Sequence, residues 1–101
     1  MAMIPMEEDT EIKMYYFSNT LQNVSYTAGN NYTLTLADLG IPTSIVSSES
    51  KIKGFAERII ASFTIDNIGK LVIANNTIKY LCGKNSSGTD MVFQGIVFYT
   101  A

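Results

Sequence analysis

The stretch LVIANNTIKYL, Leu71 to Leu81, consists of two short aliphatic and β-branched runs joined by Asn75 and Asn76. Asparagine tolerates the left-handed backbone conformations that a two-residue primed turn requires. The stretch therefore reads as a β-hairpin with arms Lys70–Ala74 and Thr77–Cys82. Working outward, Gly83 to Thr89 (GKNSSGT) has the composition of a polar loop. The chain then runs from Met91 to Thr100 with Val92, Ile96 and Phe98 on one face of a strand and Met91, Phe93, Val97 and Tyr99 on the other. A strand apolar on both faces is covered on both. One cover is the core, and the other is expected to be a neighbouring segment or a second subunit. The row Met91, Phe93, Val97 and Tyr99 is the candidate oligomer interface.

Upstream of the hairpin, Asp66 to Gly69 is a turn. Residues 48–63 admit two readings. Ile52, Phe55, Ile59 and Phe63 recur at helical spacing, whereas Ile59 to Ile65 is β-branched and aromatic and places Phe55, Ile59, Ala61, Phe63 and Ile65 on one strand face. The β-branched content favours the strand, with one helical turn ahead of it. Ile41 to Lys53 is serine-rich and is expected to cross the surface. Tyr32, Leu34 and Leu36 alternate with Thr33 and Thr35 as in a half-buried strand, ended by Asp38, Gly40 and Pro42. Ala28 to Asn31 is a turn, Ser18 to Asn31 has room for one short strand near Val24 to Thr27, and Ile12 to Phe17 is a first strand. Residues 1–11 are acidic, methionine-rich and without periodicity, and are expected to form an extended arm. The expected fold is all-β, a small antiparallel β-sandwich or jelly-roll-like domain over residues 12–101. At 101 residues and 47% hydrophobic content, one core needs no cross-links.

The chemistry is bounded by what is missing. There is no histidine, and Cys82 is the only cysteine, so Ser/His and Cys/His dyads, His-ligated metals and intrachain disulfides are excluded. Cys82 reads as a buried thiol. No glycine-rich phosphate loop occurs. Asp38, Asp66 and Asp90 lie at loop edges, where aspartate caps turns. A paired-carboxylate site built from two of them, or from Glu57 and one of them, is the enzymatic alternative. Asn85 to Asp90 is oxygen-rich but lacks the alternating acids of a calcium loop, so no metal or other cofactor is expected. The seven basic residues are scattered and the net charge is −2, which disfavours nucleic acid. No apolar run is long enough to span a bilayer, and residues 1–11 do not resemble a signal peptide, so a soluble chain is expected. Six Tyr and many Asn, Ser and Thr residues supply the side chains of polar recognition surfaces.

Over Tyr26 to Ala101, the turn-separated strands, the LVIANNTIKYL hairpin and the closing VFQGIVFYTA strand resemble the small β-sandwich head and appendage domains of bacteriophage virion proteins. That group includes tail-fibre, baseplate receptor-binding and capsid decoration proteins. The resemblance implies a virion location, a homo-oligomer with a trimer favoured, contact with other virion proteins and recognition of a host-surface saccharide. It fixes no ligand-binding residue. The chain has no repetitive shaft, so the group's role would fall to a detached head, an auxiliary protein or a decoration protein attached through residues 1–11.

Overall fold

The computed structural model describes residues 11–61 and 68–101. Six strands are present there: β1 (Lys13–Tyr26), β2 (Asn31–Leu34), β3 (Ile52–Ala61), β4 (Gly69–Ala74), β5 (Thr77–Cys82) and β6 (Ser86–Tyr99). They form two antiparallel three-stranded sheets, ordered β1-β6-β3 and β2-β5-β4. The all-β, sandwich-like expectation holds. The proposed arm lies outside the described residues apart from Glu11, as do residues 62–67, on which the expected turn residue Asp66 and the expected strand positions Phe63 and Ile65 fall.

The hairpin forms as its sequence requires. Asn75 and Asn76 take φ of 52° and 60°, and Ala74 pairs with Thr77 across them. Inward residues Ile78, Tyr80 and Cys82 of β5 are buried, and they face Phe17, Phe93 and Val97 of the other sheet in one core. Within residues 48–63, the described part, 48–61, follows the strand reading. A 3-10 turn at Glu49–Lys51 leads into β3, with Ile59 and Ala61 inward and Arg58 outward.

Three expectations need correction. First, β1 is one strand of 14 residues and not two short ones. Its polar half, from Ser18 onward, pairs with β6 on one side and presents Ser18, Thr20 and Gln22 to solvent. Second, Ser86 to Thr89 belongs to β6 and not to a loop. Both errors have one cause. The β1–β6 register shifts between Leu21 and Val24 and again before Tyr26, with Asn23 at φ 57°. Such shifts leave backbone donors without ladder partners. Side-chain oxygens at the start of β6 accept them: Asp90 Oδ1 from the Asn23 N–H at 2.9 Å, Ser86 Oγ from Tyr26 at 3.1 Å and Asn85 Oδ1 from Ala28 at 2.7 Å. The residues that imitate a loop are partners for a bulged strand. Asp90→Ala should therefore lower the free energy of unfolding by about 1 kcal/mol, read by urea denaturation, because an exposed donor recovers water in compensation.

Third, the connection between β2 and β3 does more than cross the surface. Ile41 and Val46 are 2% and 0% exposed and sit in the core with Leu36 and Leu39. A 3-10 turn at Ala37–Leu39 begins this segment. The Asp38 carboxylate accepts the Thr35 N–H, the Thr35 hydroxyl accepts the Asp38 N–H, and Gly40 closes the turn at φ 71°.

Candidate functional site

The two rows of β6 have different fates. Met91, Phe93 and Val97 are 1%, 0% and 0% exposed in the single chain, and Tyr99 packs partly buried against the same core. These four residues, expected at an oligomer interface, face inward. The inward side is set by the neighbours: Met91, Phe93 and Val97 lie in register with inward-facing Leu21, Asn19 and Tyr15 on β1 and with Ala61, Ile59 and Phe55 on β3. Periodicity within β6 could not choose, because both of its rows are apolar.

The opposite row is the side of the sheet turned away from the core. Register builds it into cross-strand rows: Met14, Phe98 and Gly54; Tyr16, Ile96 and Ala56; Ser18, Gln94 and Arg58; Thr20, Val92 and Ile60. Met14 and Tyr16 are 66% and 65% exposed, and Ile12, just ahead of β1, is 52% exposed. Ile45, in the β2–β3 connection, is the remaining large apolar side chain that stands out in solvent among the described residues. On the central strand Val92, Ile96 and Phe98 are half-buried because flanking strands shelter them. Arg58 is the one charged side chain in these four rows. Such a surface can make large, nonpolar, weakly directional contacts.

The three candidate acids among the described residues are engaged elsewhere. Asp38 caps its turn, Asp90 holds the β1 bulge, and Glu57 Oε2 accepts the Leu71 N–H at 2.9 Å, tying β3 of one sheet to β4 of the other. Each has its own backbone partner, and among the described residues no cluster of three or more Cys, Asp or Glu side chains forms a cation site. In Asn85–Asp90, the side-chain oxygens of Asn85, Ser86 and Asp90 accept the backbone N–H groups of Ala28, Tyr26 and Asn23. Cys82 is buried, and its thiol donates to the Lys84 carbonyl at 3.2 Å. A cavity of about 90 Å³ lined by Ala61, Ile68, Lys84, Asn85, Ser86 and Met91 is well below the roughly 300 Å³ at which ligand sites begin, and a larger hollow of about 490 Å³ beside Gly69, Lys70, Leu81 and Gly83 is a shallow surface depression open to solvent.

Tyrosines close one end of the sandwich. The rings of Tyr26 and Tyr32 lie 4.5 Å apart, Tyr26 meets Tyr80 edge-on at 5.1 Å, and Tyr80 meets Phe93 edge-on at 5.2 Å. The Tyr80 hydroxyl donates to the Ile68 carbonyl at 2.6 Å inside the core. Burial is the main cause that pushes the Tyr80 and Tyr26 phenols above their ordinary range. The Thr27 N–H, donating to the Tyr32 oxygen at 2.8 Å, draws Tyr32 the other way. For Tyr80 and Tyr26 the folded state holds its protons more tightly than the unfolded chain. Their contribution is full below the unfolded tyrosine value of about 10 and is lost as pH rises through the folded values. Urea denaturation should show stability falling above about pH 10, and less steeply in Tyr80→Phe.

No helix among the described residues is long and apolar enough to cross a membrane. No protein-family model, curated protein or solved structure matches the chain.

Proposed function

We propose that the chain is a non-enzymatic structural and adhesion module of the kind that small β-sandwich head domains provide in bacteriophage virions, docking through the outer face of the β1-β6-β3 sheet. The observation that carries this reading is that face itself. Ile12, Met14, Tyr16, Ile96 and Phe98 meet solvent side by side on a regular sheet, with Arg58 the only charge in its cross-strand rows. A domain that worked alone would be expected to place polar residues on the solvent side of an antiparallel sheet. The engagement of Asp38, Asp90 and Glu57 by backbone donors supports a role in assembly over one in glycan hydrolysis. Its adhesion component rests on the resemblance and on the Tyr-, Asn- and Ser-rich loops.

A glycan array probed with the wild-type chain tests the adhesion component. Retention of a host-surface saccharide without product release is the expected outcome. Release of product from any glycan would overturn the non-enzymatic reading. Retention of none would reduce the role to structure alone, as in a capsid decoration protein.

A further inference from the structure

Resting on that reading of the outer face, we infer that its occupant is a second copy of this chain. Area is the first argument. From the exposures along β1 and the shelter along β6, the face offers on the order of 800 Å² per copy, the share that each partner contributes to a standard stable interface. Charge is the second. Arg58 is the single charged side chain in the cross-strand rows, and no carboxylate lies among them to receive a basic partner. A strongly acidic or basic protein would find little to pair with, whereas an identical face covers the apolar rows with neutral side chains and leaves each copy's Arg58, exposed on the edge strand β3, at the rim in water. Position is the third. Met14 and Tyr16 lie on β1, an edge strand whose only sheet neighbour among the described residues is β6. Two such sheets can stack face to face about 10 Å apart, the separation at which sandwich layers interdigitate.

Sedimentation equilibrium of the full chain from 1 to 100 µM (roughly the range that brackets a micromolar dissociation constant) tests the inference. Wild type is compared with Met14→Lys/Tyr16→Lys, with Ile96→Lys and with Ile45→Lys. The wild type is expected to self-associate, and the mass of the assembly reads dimer or trimer. The double variant should associate at least about 100-fold more weakly, since two large apolar contacts are removed and each is worth about a factor of ten or more. Met14 and Tyr16 are about two-thirds exposed, so the double variant should unfold near the wild-type midpoint. Ile96→Lys should dissociate the assembly from the central strand. Ile45→Lys, which changes an exposed apolar residue in the β2–β3 connection, outside the cross-strand rows, should leave it intact. A wild type that stays monomeric throughout overturns the second copy as occupant, while docking to a different protein stands. Self-association that survives both face variants overturns the inference and the role given to this face together.

Discussion

Gly95→Ala is expected to abolish the folded state at room temperature. Gly95 lies in the middle of β6, paired with Phe17 on one side and Glu57 on the other, with φ at 143°. A side chain rarely adopts that φ, which costs about 1–3 kcal/mol. The second cost is steric. A Cβ there would fall onto the Ala56 carbonyl oxygen and lie 2.8 Å from the Glu57 Cα. Both obstacles are backbone, so relief requires β3 to separate from β6. Across this glycine the Phe17 and Phe55 rings, carried by the flanking strands, meet edge-on at 6.0 Å. The combined loss should be at least about 4 kcal/mol, comparable to the whole stability of a small domain. Far-UV circular dichroism and proton chemical-shift dispersion check it. A variant that unfolds cooperatively near the wild-type midpoint would refute this geometry for β6.

Phe93→Ala carries the second large effect and separates two meanings of one apolar residue. Phe93 is 0% exposed and packs against Tyr80 at the centre of the core. Truncating a buried phenylalanine costs about 3–5 kcal/mol from lost transfer energy and the cavity left behind. The urea midpoint should collapse accordingly. An interface role would instead leave the midpoint of the monomer unchanged and lower only the assembly mass. A wild-type midpoint in Phe93→Ala would return the residue to the interface that periodicity first suggested.

That contrast also marks where reading the sequence stops. The Asn75–Asn76 hairpin was legible because turn chemistry is local, and Cys82 was legible because a free cysteine in the apolar run Ile78 to Cys82 is of a residue type that is usually buried. In residues 52–61 β-branched content identified the strand even though its apolar residues also fit a helix. The two rows of β6 were separated correctly, yet which row turns inward depends on residues 30 to 80 positions away, such as Ile59 and Phe17. The polar half of β1 was illegible for a different reason. Bulged pairing is held by Asp90, Ser86 and Asn85, and those residue types signal a loop when read alone. The outer face, the candidate site, was visible only as Val92, Ile96 and Phe98. Met14 and Tyr16 join it through cross-strand register, which no local pattern encodes.

The pairing of β1 with β6 also gives the molecule a direction. Lys13 stands opposite Tyr99, so the chain enters and leaves the sheet side by side, while Tyr26 and Ser86 mark the far end of the same pair. Any segment joined before Lys13 or after Tyr99 departs from one pole. The bulged, hydroxyl-rich end is then held outward, and a mechanical load applied to both ends would pull the β1–β6 ladder apart from that pole one rung at a time.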